Sequence, residues 1–455
     1  MKKQLTIEEK LQNALVPKEE QPYKIPSNWC WSYWKYCGKF IAGNGFKNIY
    51  QGFTQYDIPY YKVGSLKFCD EGNYLIDETN TINEEIRTKL KAVKIPVNSI
   101  IFAKIGEAIK LNRRCLNKIE CCIDNNLMAF ISEKYFYKYI FYWTKSLNFY
   151  ELTNATTVPA LRKTDLENIP IPLPPLNEQQ RIVNIIESLF AKLDRAKELI
   201  ENTLAQFEQN KMAILHKAFT GELTAKWRKE NNIDLSSWQD YQLKDICEKI
   251  TDGTHNSPIN TDLGDYMYIT AKNIKEEGID LSKITYVSSD IHEKIYARCN
   301  VEFGDVLYIK DGATTGIATI NTIKEQFSLL SSVAVLKPKK NKLLAKYLVY
   351  KLNSNEVRNM MINNMSGVAI TRLTLTKIKQ AKMKFPTIEE QQEIVNILDK
   401  LLAKYNKIKN LEQQLEKIEL LKKAILAKAF RGELGTNNPD EESAENLLKE
   451  ILAEK

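Results

Sequence analysis

The sequence is poor in the residues that build metal centres. It holds eight cysteines and three histidines among 455 residues. No two cysteines form a CxxC, although Cys121 and Cys122 are adjacent, and His216, His255 and His292 stand at no zinc spacing relative to them. This pattern argues against a structural zinc site and for reduced thiols in a cytoplasmic protein. Long apolar runs are missing as well. No stretch approaches the roughly 18 uncharged apolar residues that a membrane span needs. The start, Met1 to Lys10, turns acidic at Glu8 and Glu9 without an apolar core, so no signal peptide is expected.

The usual catalytic signatures are missing too. There is no GxxxxGK[ST] phosphate loop and no Asn/Asp-Pro-Pro-Tyr/Phe methyltransferase motif; the one Pro-Pro lies in Leu173-Pro174-Pro175-Leu176. Gly43-Asn44-Gly45 runs into Phe46 and Lys47 without the third glycine of a dinucleotide loop. Glu8-Glu9-Lys10 has the E-x-K order of some nucleases, but on a charged N-terminal helix with no strand beside it.

What is present is globular: 44% hydrophobic and 27% charged residues, in a length that suggests two or three domains. The net charge of +8 is a mild bias towards a polyanion. It is spread over two blocks. Residues 21–175 carry 20 basic and 14 acidic side chains, and residues 236–386 carry 21 and 16. The tail 435–455 reverses this, with 2 and 6.

The chain also repeats itself. EQQRIVNIIESLFAK at 178–192 and EQQEIVNILDKLLAK at 390–404 agree at ten of fifteen positions, and KMAILHKAFTGEL at 211–223 and KKAILAKAFRGEL at 422–434 at ten of thirteen. Between the paired blocks the apolar period is helical. Ile186, Leu193, Ile200, Phe207 and Ile214 recur every seven residues, with Thr203 and Asn210 as polar interruptions that either fix register or mark where the seam has opened. In the second copy the seam is expected to run through Ile394, Leu398, Leu401, Tyr405, Ile408, Leu411, Leu415, Ile418, Leu421 and Ile425. Prolines at 172, 174 and 175, and at 386, bar a helix from upstream, and Gly221 and Gly432 suit its end. A helix over 178–218 would be about 60 Å long. Two apolar stripes of that length are best buried against each other, as an antiparallel pair.

The segments ahead of the helices look equivalent. Each opens on a tryptophan, at Trp29 and Trp238, and each holds a β-rich run ending in Lys-x-Gly, at 99–106 and 305–312. Each closes on a polar turn, at 156–163 and 366–373. Trp29, Trp31, Trp34, Tyr33 and Tyr36 read as packing residues, and His216 as structural. The expected fold is mixed α/β: two globular domains alternating with two long helices that pair as an antiparallel coiled coil, in an internal pseudo-twofold repeat. The boundaries read as an N-terminal helix 1–20, globular domains 21–175 and 224–386, helices 176–223 and 387–434, and an acidic tail 435–455 that either docks as an amphipathic helix through Leu447, Leu448, Ile451 and Leu452 or is disordered.

This order, with LPPLNEQQRIV, FPTIEEQQEIV and the two KAF-x-GEL ends, closely resembles the specificity subunit of Type I restriction–modification systems over about 20–434. Thr251-Asp252-Gly253-Thr254-His255 resembles a turn of that family's recognition domains; the first half has Ile41-Ala42-Gly43-Asn44-Gly45 near the corresponding place. The resemblance implies two target recognition domains that read different halves of an asymmetric, split DNA target. The helices would be the spacer and the docking surface for two methyltransferase subunits, joined by restriction–translocase subunits. It implies that the chain itself catalyses nothing and carries no cofactor, with S-adenosylmethionine, ATP and Mg²⁺ belonging to the partners. Changing a helix by a heptad should then change the unread spacer and leave both half-sites alone.

Affinity for duplex DNA comes from phosphate contacts and specificity from base edges. Candidates are basic and polar residues on turns beside strands: Lys104, Arg113, Arg114, Arg162 and Lys163 in the first domain, and Thr254, His255, Asn256, Lys310, Thr314, Thr315 and Arg372 in the second. Two other readings stand beside this one. A coiled-coil scaffold that binds proteins would lack a steep salt dependence, and a lone nuclease or methyltransferase would turn over without partners.

Overall fold

The prolines act as start signals and the glycines as stops. The computed structural model describes residues 5–153, 158–363, 373–406 and 409–454, and the side chains of all of these except 404–406, 409 and 410. The first long helix spans Leu176–Thr220, 45 residues that begin directly after Pro175. It ends at Gly221, whose φ of +86° only glycine adopts without strain. The second repeat gives helices Ile388–Asn406 and Lys409–Phe430, followed by Gly432 at φ +74°. The expected seam positions Tyr405 and Ile408 lie outside the described side chains.

The chain divides into two compact units, Met1–Leu199 with Gln414–Lys455, and Ile200–Gln413. Both boundaries fall inside the long helices, so each unit combines the start of one with the end of the other. In the first unit Ile182, Val183 and Ile186 share a core with Leu426, Ala429 and Phe430. In the second unit the matching residues Ile394, Val395 and Leu398 share a core with Leu215, Ala218 and Phe219. The two repeated blocks thus pack crosswise, and each large apolar side chain so buried contributes about 1.5–3 kcal/mol. In the first unit Lys422 pairs with Asp194 and lies over the Phe190 ring, and Lys197 reaches Glu419 at 3.6 Å. The seam therefore passes through Lys422 and not through Leu421, which is 50% exposed. Asn210 is exposed, which places it where the seam has opened, and His216 is exposed rather than packed.

The repeated Glu-Gln pair explains itself at the helix starts. Glu178 is fully buried and accepts from Trp29 Nε1 (2.8 Å), Thr436 Oγ1 (3.0 Å) and Asn437 Nδ2 (3.0 Å). Glu390 accepts from Trp238 Nε1 (2.9 Å), Thr224 Oγ1 (2.6 Å) and Arg228 Nη1 (2.5 Å). Gln179 and Gln391 donate to the carbonyls of Pro174 and Pro386, both at 3.0 Å. Each buried carboxylate thus ties a tryptophan that opens its globular domain to a threonine that follows a KAF-x-GEL helix end, and its charge is met by full hydrogen bonding.

The acidic tail docks. Helix Ala444–Ala453 buries Leu448, Ile451 and Leu452 in the core of the first unit. It packs beside the N-terminal helix Ile7–Ala14, where Lys10 Nζ donates to Leu452 O at 3.1 Å. That N-terminal helix is closed by a capping box between Thr6 and Glu9.

Each globular domain is mixed α/β around a four-stranded antiparallel sheet. The orders are Gly38–Ala42, Leu127–Ser132, Ile100–Ala103, Arg114–Leu116 in the first unit and Cys247–Asp252, Val333–Pro338, Val306–Ile309, Ala318–Ile320 in the second. A two-stranded ladder joins the tryptophan-bearing opening to the Pro-rich lead-in, Cys30 opposite Leu173 in one and Gln239 opposite Phe385 in the other. Trp29, Trp31 and Trp34 are buried, and Tyr33 and Tyr36 half-buried. Lys351 is buried among rings, within 4.8 Å of the Phe219 centroid and 5.3 Å of Phe385, and the half-buried Lys145 lies 4.8 Å from the Phe141 centroid. Burial lowers both ammonium pKa values to about 8.

Candidate nucleic-acid interface

Both sheets end in one hydrogen-bonding frame. The strands Gly38–Ala42 and Ile100–Ala103 run antiparallel to the strand between them, as do Cys247–Asp252 and Val306–Ile309, so in each unit two strands finish at the same edge. At that edge of the first unit Gly43 N donates to Leu127 O (3.2 Å), Asn44 N to Ile123 O (3.0 Å), Lys104 N to Asn126 O (2.9 Å) and Leu161 N to Lys104 O (2.8 Å). In the second unit Gly253 N donates to Val333 O (3.4 Å), Thr254 N to Leu329 O (2.8 Å), Lys310 N to Ser332 O (2.9 Å) and Leu373 N to Lys310 O (3.1 Å). The four bonds match one for one. Glycine is required at the first of these positions, because a Cβ on Gly43 would lie 2.0 Å from Asp124 O and one on Gly253 1.9 Å from Leu329 O. The frame aligns Ala42-Gly43-Asn44-Gly45 with Asp252-Gly253-Thr254-His255, and Lys104 with Lys310.

The side chains on this shared frame differ. Asp252 is 1% exposed and is surrounded by cationic donors. Its Oδ1 accepts from Arg298 Nη2 at 2.6 Å and lies 3.5 Å from His255 Nε2, while its Oδ2 lies 3.5 Å from Lys310 Nζ. Lys310 Nζ also donates to Asp311 Oδ2 at 2.9 Å. Arg298 Nη2 lies 3.0 Å from His255 Nε2. When that contact is a hydrogen bond, the guanidinium donates and the imidazole is neutral with its proton on Nδ1. The first unit has Ala42 where the second has Asp252. Among the described residues the half-exposed Lys104 has no ion pair.

Most of the residues picked out from the sequence meet at these two edges. Arg113 is exposed just ahead of the strand that pairs with Ile100–Ala103, and Arg162 and Lys163 are exposed directly after Leu161, with Lys163 3.5 Å from Glu167. Thr254 donates through Oγ1 to Asn256 O at 3.0 Å, closing the turn that presents His255 and Asn256 to solvent, and Thr314 is exposed on the turn that follows Lys310. Beyond His255, the loop leaves Ile259 and Leu263 more exposed than any other large apolar side chains described, at 84% and 85%.

Three of the picked residues face inward, and the expectation of solvent-facing side chains is corrected for them. Arg114 is 3% exposed; its Nη1 donates to Asn112 O, its Nη2 to Leu147 O at 2.9 Å, and it stacks 3.7 Å from the Phe149 centroid. Burial pulls its pKa down to about 9. Neighbours along a strand point to opposite faces, so Arg113 and Arg114 cannot both face out. Lys310 is buried in the Asp252–Asp311 pair. Thr315 is buried and donates to Gly312 O at 2.7 Å. Arg372 lies outside the described residues. Arg298 was missed. It ends the helix Ser289–Arg298, distant in sequence from Asp252, and no local motif announces it.

Comparison with known proteins places both halves together. A sequence profile described as "Type I restriction modification DNA specificity domain" matches residues 48–206 and 236–420, one stretch per repeat. The specificity subunit of the Type I restriction enzyme EcoBI of Escherichia coli is 30% identical over 330 residues, covering 67% of this chain and 68% of that protein. That of EcoKI, from Escherichia coli strain K12, is 26% identical over 318 residues, covering 67% and 68%. Among solved structures, a chain from work on complex assembly and conformational transition of a type I R-M system superposes with a TM-score of 0.66 at 20% identity, over 91% of this chain and all of that one. The HsdS subunit of Thermoanaerobacter tengcongensis gives 0.52 at 19%, over 91% of this chain and all of that one. At these identities the structural likeness speaks for the mixed α/β fold.

Proposed function

Because the chain belongs to the Type I restriction–modification DNA specificity family, matched once in each repeat, we propose that each unit uses its frame edge to read one half of an asymmetric, bipartite target. The chain is a DNA sequence-specificity subunit. The observation that carries the finer reading is the matched frame with unmatched side chains: the same backbone bonds present Lys104, Arg113, Arg162 and Lys163 in one unit and Thr254, His255, Asn256 and Thr314 in the other. One scaffold dressed in two ways suits two unlike half-sites. Lysine and arginine supply phosphate contacts, and asparagine, histidine and threonine supply donors and acceptors for base edges. Ile259 and Leu263 are suited to thymine methyl groups. Arg372 remains a candidate.

The long helices pair antiparallel along their length, related by a pseudo-twofold, and set the distance between the two readers. The crosswise packing of the repeated blocks within each unit supports this. Leu420 and Leu421, 63% and 50% exposed, lie on the outer side of the second helix, where an apolar partner surface would cover them. Two methyltransferase subunits dock along these helices, and restriction–translocase subunits join that core. The chain catalyses nothing. S-adenosylmethionine, ATP and Mg²⁺ act in the partners, in the cytoplasm. No helix among the described residues is long and apolar enough to cross a membrane.

The test is the methylation pattern laid down by this chain with its methyltransferase subunits. One split, asymmetric motif is expected; a contiguous palindrome would contradict the proposal. Binding should also weaken steeply between about 50 and 200 mM salt.

A further inference from the structure

The residue before the required glycine differs between the frames, an exposed Ala42 in the first against a buried Asp252 in the second, and that difference sets which side chain is free to meet DNA. In the second unit Asp252 holds Lys310 out of solvent and grips Arg298 by Nη2. His255 lies on the same nitrogen. Arg298 is nonetheless half exposed, and its Nε–H and Nη1 donors have no partner among the described residues. A guanidinium with one nitrogen fixed on a buried carboxylate has lost most of its rotational freedom before any ligand arrives, which lowers the entropy cost of a directed contact. Its free Nη1 carries two hydrogens, either of which can donate to the O6 or N7 acceptor of a guanine. Lys104, by contrast, is an unanchored point charge on a flexible stem, suited to a phosphate.

We infer that Arg298 reads a guanine-containing base pair for the second unit, with Asp252 as its positioning residue and Lys310 as the charge that neutralises Asp252, while the first unit offers Lys104 from the same frame as a phosphate contact. This rests on the proposed bipartite reading.

The test is methylation of a randomised target library by the reconstituted complex of this chain with its methyltransferase subunits. Arg298→Ala should lower discrimination about ten- to a hundredfold at a single base pair of one half-motif, leaving the other half unchanged. Arg298→Lys keeps the charge but cannot keep the anchored, planar geometry, and should relax the same base pair. Asp252→Asn should relax that base pair too, a positional coincidence that mere destabilisation would not produce. Lys104→Ala should leave every motif position intact and lower the slope of log affinity against log salt by about one. Unaltered profiles for both Arg298 variants, or losses spread evenly over all positions, overturn the inference. If Arg298→Ala abolishes methylation altogether, the Arg298→Lys profile decides. A wild-type complex that yields no split motif would instead overturn the bipartite reading itself.

Discussion

Replacing Glu390 by alanine should cost the second unit about 3–5 kcal/mol, the usual penalty for removing one partner of a buried ion pair. The structure sets this magnitude. Arg228 Nη1 donates to Glu390 at 2.5 Å and its Nη2 to Gly221 O at 2.6 Å, and both charged side chains are nearly sealed from solvent. Without the carboxylate, a buried guanidinium, the Trp238 indole N–H and the Thr224 hydroxyl lose their shared acceptor. Arg228→Ala should cost a comparable amount. The double variant should fall short of the sum by about 0.5–3 kcal/mol, because the two changes remove one interaction. With two units in one chain, a single unfolding midpoint is not well defined. Hydrogen exchange resolved along the sequence is the suitable assay, supported by calorimetry, where the affected transition should drop by about 6–20 °C. Loss of protection should be concentrated in Ile200–Gln413. A cost under about 1 kcal/mol for both single variants, or fraying of the first unit in place of the second, would refute the latch.

Other outcomes follow from the same contacts. Arg113→Ala should reduce the salt slope of DNA binding by about one without loss of stability, whereas Arg114→Met should alter stability and leave the slope alone; titrations at several salt concentrations beside thermal melts separate them. Lys351 is buried with its pKa lowered to about 8, so between that value and the ordinary lysine range the unfolded chain binds more protons and stability rises with pH. Lys351→Met should abolish that rise and stabilise the second unit at pH 7, seen by comparing melts at pH 7, 9 and 10. Truncation after Leu434 removes Thr436, Asn437 and the buried Leu448, Ile451 and Leu452, and should lose several kcal/mol from the first unit with the second intact, read by limited proteolysis.

The repeat made the organisation legible, because identical blocks need identical surroundings. The buried Glu178 and Glu390 show what those surroundings are, a tryptophan and a threonine donated in both units. Proline and glycine fixed the helix ends because their backbone limits do not depend on tertiary context. The β-rich runs before Lys104 and Lys310 are the central strands Ile100–Ala103 and Val306–Ile309. Side-chain direction was harder to read. Arg113 and Arg114 are equivalent in sequence, and only strand register turns one outward. Leu421 and Lys422 compete for the seam, and the lysine wins because its stem lies over Phe190 while its head pairs with Asp194. Arg298 meets Asp252 through tertiary packing alone, which no spacing rule encodes. The tail docks beside the Ile7–Ala14 helix and on the core of the first unit, partners that its own composition does not name.

The central claim is that the helices measure the gap between two half-sites. Adding seven residues to each long helix, one at about Thr203 and one at the matching place in the second repeat, lengthens the pair by about 10 Å, or about three base pairs. Methylome sequencing of cells carrying the lengthened chain with its partners should return both half-motifs unchanged, with an unread spacer longer by about three. A motif with altered half-sites, or with the spacer unchanged, would contradict the account.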